Sequence, residues 1–363
     1  MFISRPPSGD ILLGELLKRV SRSFYLSLRV LPDGMRVPVS LAYLLARTAD
    51  TIADTPGTPE PERLVRLQAW RALVGGARDA ALLLQVAAAR GATSDPAEAA
   101  LFDVLAPALE LLESLPQADA ASVRQVVQTL TDGMVFDLRR FEGGRSGAPV
   151  ALATMDDLDL YTYLVAGCVG EFWTDVALRH RTELAGWSRD EMARRGIAYG
   201  QALQLTNVLR DASADLAMGR CYLPLTLLSP LGLAPVDLLD ARRRAQALPV
   251  RGALASRALG GYRQAADYVL AVPSNSLRLR LRLASLWPLM LGLGTLKRLA
   301  REPGWLDPRG RVKVPRSAVY GMLLRSLPTA LSDAACRRWI EASLDDTGLA
   351  CSENTLPASL LGS

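Results

Sequence analysis

Histidine is nearly absent from this chain: His180 is the only one in 363 residues. The four cysteines, Cys168, Cys221, Cys336 and Cys351, show no metal-ligand spacing. One imidazole and no paired thiols argue against a zinc site. A Ser-His-Asp triad would have to use His180, and the sequence has no Gly-x-Ser-x-Gly elbow. Four cysteines are too few for a disulfide framework at this length and suit a reducing cytoplasm. Aromatic residues make up 6% of the chain and are not interleaved with a basic run, so no nucleic acid partner is expected. The net charge of +5 is a modest excess that suits anionic ligands or an anionic membrane surface. Long apolar runs are missing too. The longest, Leu283 to Leu296, is interrupted by Ser285, Pro288, two glycines and Thr295, and it falls short of the roughly 20 residues that a membrane span needs. It reads as a buried core helix. Arg278, Arg280, Arg282, Lys297 and Arg298 on its flanks leave open a peripheral membrane contact. The first residues lack the basic, apolar, small-residue order of a signal peptide. The expected location is therefore the cytoplasm, with at most peripheral contact at the inner face of a membrane. The sequence carries no signal for oligomeric state.

The chain is rich in Ala, Leu and Arg, which are strong helix formers, and it is 50% hydrophobic and 22% charged. Apolar residues recur at helical spacing in 11–30, 39–52, 62–84, 97–115 and 121–141. Further helices are expected over 158–180, 189–214, 238–247, 251–270, 277–299 and 316–327. Ser188 with Glu191 three residues on is a capping-box signal. Strict Leu/Arg alternation over 277–283 is a strand signature, but it stands among helical patterns and reads as the start of a helix. Arg242-Arg243-Arg244 reads as a solvated helix face. No linker divides the chain, so one all-α domain is expected over 1–343, followed by a poorly ordered tail at 344–363.

Two aspartate-rich stretches stand out. In the first, Asp50 and Asp54 are four residues apart, with Arg47 three before Asp50. In the second, Asp211 and Asp215 repeat the spacing, with Arg210 beside them and Gln204 and Asn207 extending the same helix face. On a helix this spacing puts both carboxylates of a pair on one side, where they repel. A divalent cation such as Mg²⁺ or Mn²⁺ would relieve the repulsion, and it favours hard oxygen ligands shared with phosphate. Arginines can grip diphosphate oxygens. Either pair alone could be an ordinary solvated face. Together, in apolar helices, they point to two halves of one metal–diphosphate site, because buried carboxylates are costly unless paired or metal-bound.

The motifs resemble those of the squalene/phytoene synthase family of head-to-head prenyl synthases, most nearly the squalene synthases. Ser21-Arg22-Ser23-Phe24 is similar to an early family segment. Tyr43 to Asp54 resembles the first Asp-rich motif, and Tyr161 to Gly170 a Tyr-to-Val-Ala-Gly-x-Val-Gly segment. Gln204 to Asp215, followed by Gly219-Arg220-Cys221-Tyr222-Leu223-Pro224, resembles the second Asp-rich motif. Trp287 to Leu296 and Gly310 to Val319 are similar to the squalene-synthase C-terminal part, whose last segment contributes to a nicotinamide cofactor site. Two departures are visible: Ala53 and Ala214 stand where the family usually has an acidic residue, and Pro315 replaces a usual basic residue.

The resemblance implies an isoprenoid-synthase helical bundle with a central apolar cavity. It implies condensation of two farnesyl diphosphates, through presqualene diphosphate, to squalene with NADPH. Non-reductive outcomes within the same fold are presqualene diphosphate, dehydrosqualene or phytoene. An alternative of another class is a catalytically silent scaffold that binds prenyl diphosphates. The implied metal ligands are Asp50, Asp54, Asn207, Asp211 and Asp215. The implied substrate contacts are Ser21, Arg22, Ser23, Phe24, Arg47, Gln204, Asn207, Arg210 and Arg220. Tyr43 and Tyr161 join the four aspartates as catalytic candidates, and Lys313 and Arg316 are the candidates for the cofactor. Gly167 and Gly170 suggest close approach of a ligand or a neighbouring helix. Cys168 and His180 read as structural.

Overall fold

The computed structural model describes residues 12–21, 25–55, 57–274, 279–310 and 312–349. Almost every described segment is helical, and the chain divides into two compact units, Met1–Leu138 with Phe172–Arg189 and Arg139–Glu171 with Asp190–Ser363.

In the first unit, a π-turn at Leu12–Leu16 leads into α1 (Leu17–Ser21), followed by α2 (Tyr25–Val30) and α3 (Arg36–Asp54). Leu41, Leu44, Leu45, Thr48 and Ile52 bury the inner stripe of α3. After it come α4 (Glu60–Gly75), α5 (Ala80–Ala87), α6 (Pro96–Phe102), α7 (Leu105–Ser114) and α8 (Gln117–Arg140). Helix α4 lies along α3. Its buried Trp70 donates the indole N–H to the Leu45 carbonyl at 3.2 Å, and Arg63 donates to the Ala53 carbonyl. The periodicity suggested one helix over 62–84, but the chain breaks at Gly76, whose φ of 110° is left-handed. The N–H groups of Gly76 and Ala77 close onto the carbonyls of Leu73 and Ala72, a glycine stop. A second break, at Asp103 and Val104, divides the expected 97–115 helix. The lone histidine is structural. His180 and Arg179 both reach the buried carboxylate of Asp119, at 2.9 and 2.6 Å.

The second unit opens with α9 (Met155–Thr162), started by a capping box between Thr154 and Asp157. A five-residue π-turn at Tyr163–Gly167 interrupts the expected 158–180 helix before α10 (Cys168–His180), whose residues from Phe172 onward belong to the first unit. Then follow α11 (Arg189–Ala217), α12 (Leu248–Ala271), α13 (Leu279–Arg301), α14 (Arg316–Thr329) and α15 (Asp333–Asp345). Helix α11 begins directly after Ser188, where the sequence signal put it, and it is packed on several sides. A Cβ at Gly170 would lie 1.9 Å from the Gly196 carbonyl oxygen, and one at Gly200 would lie 2.3 Å from that of Ala166. The motif glycines are thus helix-contact residues. Tyr262 of α12 shares a 2.8 Å hydrogen bond with Thr206, and Tyr199 donates to the Ser285 carbonyl of α13 at 2.8 Å. The buried Arg282 ties α13 to the turn before α15 through the Ala330 carbonyl and Asp333. Among the described residues the only strands, Val150–Ala151 and Arg220–Cys221, pair in parallel.

Residues 238–247 are not an α-helix. They form 3₁₀ turns at Pro235–Leu239 and Arg244–Ala247, and the arginine run is not a helix face. Arg243 bonds the Gly232 carbonyl and pairs with Asp237, and Arg244 binds the carbonyls of Leu238 and Leu239. The Leu/Arg alternation is helical from Leu279 onward, with Leu277 and Arg278 outside the described residues. The 283–296 run is core, with Leu286, Leu289, Leu293 and Leu296 almost fully buried. No helix among the described residues is long and apolar enough to cross a membrane. Of the expected tail, residues 350–363 lie outside the described residues, whereas Leu344 and Thr347 are buried.

The glycine contacts predict effects of opposite sign. Gly170→Ala must push two backbones apart and should lower stability by about 3 kcal/mol. Gly252→Ala, in α12 with nothing within 4 Å of the new Cβ, should raise it by roughly 0.5–1 kcal/mol. Denaturant midpoints measure both, and equal effects would remove the close-contact explanation.

Candidate active site

On the first unit, one face of α3 carries Tyr43, Arg47, Asp50 and Asp54. Arg47 pairs with Asp50 one turn on and with Glu98 from α6. Burial acts against the Arg47 charge, but the carboxylates of Asp50 and Glu98 hold its pKa above the usual value. Asp50 keeps 38% of its side-chain surface accessible. Protein still surrounds it closely enough that desolvation, joined by the charge of Asp54, pushes its carboxyl from 3.8 up to about 6. Tyr43 donates its hydroxyl to the Val20 carbonyl at 3.4 Å. Ser21 is buried, with its hydroxyl turned back to the Leu17 carbonyl at 2.5 Å. Arg22, Ser23 and Phe24 lie outside the described residues. Ala53 is buried, which explains why an acid there would be costly.

On the second unit, the inner side of α11 is apolar: Leu205, Val208, Leu209, Ala212 and Leu216 are buried. This leaves Gln204, Asn207, Asp211 and Asp215 along its half-exposed face. The Asn207 amide donates to Gln204 at 3.2 Å, and the Gln204 amide donates to the Tyr161 hydroxyl at 3.3 Å. Tyr161 is buried and stacks on Tyr222 at 4.7 Å, and Phe141 meets Tyr222 edge-on at 4.8 Å. Arg210 grips Asp211 with two hydrogen bonds, of 3.0 and 2.6 Å, which hold its own pKa above the usual value. Arg220 sits on the two-residue strand that delivers Tyr222.

The segment between α13 and α14 is anchored to α11. Trp305 is buried and donates its indole N–H to the Leu209 carbonyl at 2.6 Å. Val314 lies against Gly294 of α13. Lys313 and Arg316 are exposed at the start of α14, where Pro315 is the N-cap residue. Sequence reasoning missed Glu98, Tyr222, Phe141 and Trp305. Only Tyr222 carried a signal, its place in the Gly-Arg-x-x-x-Pro segment.

Among the described residues, no three His, Cys, Asp or Glu side chains gather into a metal cage. Mg²⁺ does not need one, because it is usually held by one or two carboxylates, with waters and substrate phosphate oxygens completing the shell. The donor chemistry of Asp50 and Asp54 on the first unit, and separately of Asn207, Asp211 and Asp215 on the second, suits such an ion.

The sequence profile described as squalene/phytoene synthase matches residues 17–318. The chain belongs to the squalene/phytoene synthase family. That is a family of head-to-head prenyl synthases, prenyltransferases of isoprenoid biosynthesis. The presqualene diphosphate synthase of Zymomonas mobilis is 30% identical over 84% of this chain and 89% of its own length. The bifunctional lycopene cyclase/phytoene synthase of Colletotrichum graminicola is 30% identical over 72% of this chain, which spans only 42% of that longer protein. Among solved structures, TcSQS in complex with the ligand BPH1237 matches with a TM-score of 0.74 at 19% identity, over 98% of this chain and 96% of that one. A dehydrosqualene synthase in complex with a ligand matches with a TM-score of 0.56 at 20% identity, over 88% and 95%. At these identities the structural likeness concerns the all-α fold.

The Asp50 shift has a defined sign. Its folded pKa lies above the unfolded value, so between about pH 4 and about pH 6 the folded chain holds more protons at this site. Stability therefore falls as pH rises through that window when no cation is bound. Asp50→Asn should raise the metal-free melting temperature at pH 7, by roughly 1–3 °C, and should remove any further rise on adding Mg²⁺ with diphosphate. Thermal shift measures both. A fall in the metal-free melting temperature would show that the Arg47 pair outweighs the repulsion.

Proposed function

We propose that the chain condenses two farnesyl diphosphates head-to-head, through presqualene diphosphate, to squalene, with two diphosphates released and NADPH as reductant. The observation that supports the reductive step is the hydrogen bond from Trp305 to the Leu209 carbonyl. It ties the segment leading to Val312–Arg316 to the helix of the second Asp motif. Lys313, Arg316 and the first turn of α14 suit a cofactor phosphate, since cations and helix N-termini both favour anions.

When bound, Mg²⁺ would neutralise diphosphate oxygens, and NADPH would supply the hydride. Asp50 and Asp54 on the first unit, and Asn207, Asp211 and Asp215 on the second, are the residues that would ligate Mg²⁺. Arg47 and Arg210 now spend their charge on Asp50, Glu98 and Asp211. They would turn to diphosphate oxygens once those carboxylates serve the cation. Ser21, Arg22, Ser23, Phe24 and Arg220 would complete the substrate contacts. The Tyr161 hydroxyl, which accepts a hydrogen bond from Gln204, would relay the proton lost when the cyclopropane closes, receiving it as it passes its own proton to the released diphosphate, and the Tyr161 and Tyr222 rings would face the cationic carbon. Tyr43 would act beside the first motif. Apolar helix surfaces would keep water from the cation, since hydration would give alcohols.

A second reading, termination at presqualene diphosphate, is favoured by the Zymomonas mobilis relative, named for that product and matched along most of both chains. Dehydrosqualene, or phytoene from C20 substrates, would likewise need no reductant. The silent-scaffold alternative is disfavoured, because a binding module has no physical need for mutually repelling carboxylates on two helices.

The deciding experiment is product analysis on purified protein with C15 and C20 diphosphates, with and without NADPH. Squalene is expected only with farnesyl diphosphate, Mg²⁺ and NADPH. Lys313→Ala should cut squalene formation about tenfold at limiting NADPH, the weight of one lost phosphate contact, and leave presqualene diphosphate formation intact. An identical product profile with and without NADPH would replace squalene by the non-reductive reading. Asp211→Asn should reduce turnover at least about 100-fold with unchanged helical circular dichroism. Near-normal activity in that variant would remove the second motif from the chemistry.

A further inference from the structure

Two helices of the first unit meet at the Arg47 side chain. Asp50 reaches it from one turn further along α3, and Glu98 reaches it from α6. The guanidinium gives a different nitrogen to each, Nη1 to Asp50 and Nη2 to Glu98. Its Nε is buried without a hydrogen-bond partner. The two carboxylates therefore hold the fork by its ends. They differ in what they are free to do. Asp50 keeps 38% of its side-chain surface accessible, against 23% for Glu98. Glu98 is also fixed from behind. It is the third residue of α6, a helix opened by Pro96 and by the Asp95 carboxylate, which accepts the Ala97 N–H at 2.7 Å. Asp50 is thus the accessible partner of Arg47, and Glu98 the sheltered one.

If Asp50 is to ligate a divalent cation, Arg47 must first let it go, because a carboxylate oxygen gripped by a guanidinium repels a second positive group. A guanidinium with no other partner would then stay against the ion or swing into solvent, and its long flexible stem would lose its orientation. Glu98 removes this difficulty. Among the described residues it does not gather with Asp50 and Asp54 into a three-carboxylate cage, so it remains available to the arginine. A carboxylate can take both ends of the fork in a bidentate pair. We propose that Glu98 is a positioning residue, which draws Arg47 off Asp50 as the cation arrives and keeps the guanidinium beside the ion for the incoming diphosphate. The inference deepens the metal–diphosphate reading and rests on it.

The test is titration of the purified full chain with Mn²⁺ alone, with the free ion read by electron paramagnetic resonance. Glu98→Gln keeps the shape of the side chain and removes its charge. It should weaken Mn²⁺ binding about tenfold, the weight of one hydrogen bond between charged groups, with helical circular dichroism unchanged. Glu98→Asp keeps the charge and should stay within about threefold of wild type. The reading that separates positioning from a general charge effect is a double-mutant cycle. With Arg47→Gln already in place, adding Glu98→Gln should change the affinity by less than about threefold. Binding by Glu98→Gln as tight as wild type, or tighter, would overturn the proposal. Equal losses with and without Arg47 would overturn it too, because Glu98 would then act on the ion directly. Wild-type affinity in Asp50→Asn, or no Mn²⁺ binding by wild type, would instead remove the metal reading beneath it.

Discussion

Direct backbone contact around α11 is the constraint on which the second unit depends. Gly170 and Gly196 leave no room for a side chain between their helices, and neither do Gly200 and Ala166. On another side, Gly261 of α12 lies so close to Ala198 that an added Cβ would come within 2.8 Å of its carbonyl oxygen. Hydrogen bonds from Tyr199, Tyr262 and Trp305 add directional restraints. A helix held this way can neither slide nor turn by a fraction of a residue without a clash. The polar face bearing Gln204, Asn207, Asp211 and Asp215 is therefore aimed by packing on the opposite faces, before any ligand arrives. This is the preorganisation that charge-stabilising sites require.

The two motifs look alike in sequence but are balanced differently. In the first, Arg47 is divided between Asp50 and Glu98, so two carboxylates share one cation and Asp54 adds a third negative charge nearby. In the second, Arg210 chelates its immediate neighbour Asp211. The second offers a preformed donor network running from Asn207 through Gln204 to Tyr161.

Much of this was legible in sequence, and the failures have physical causes. Helices α3, α8, α11 and α13 were visible because each holds an apolar stripe over many turns. The face of Gln204, Asn207, Asp211 and Asp215 followed from spacing alone. Glu98 could not be foreseen, since its link to Arg47 spans 51 residues and belongs to tertiary structure. The same holds for Trp305 and Leu209. Residues 238–247 misled because leucine and alanine imitate a helical stripe, while Pro235 and the arginines that bind nearby carbonyls favour 3₁₀ turns. Helix α15 was overlooked although its signals were present: Ser332 caps it, and Cys336, Trp339, Ile340 and Leu344 form its inner stripe.

The π-turn at Tyr163–Gly167 has a geometric consequence. Tyr161 and Gly170 are nine residues apart, and at about 100° per residue a straight α-helix would point them roughly 180° from each other. One could meet α11 only if the other turned away. A π-turn absorbs one extra residue, which resets the angular phase by about 100° and brings the two within roughly 80°. Both then face α11, Tyr161 reaching Gln204 and Gly170 lying on Gly196. The widened turn thus acts as a phase corrector, letting one continuous stretch of chain present the Tyr161 hydroxyl and a packing groove to the same neighbour.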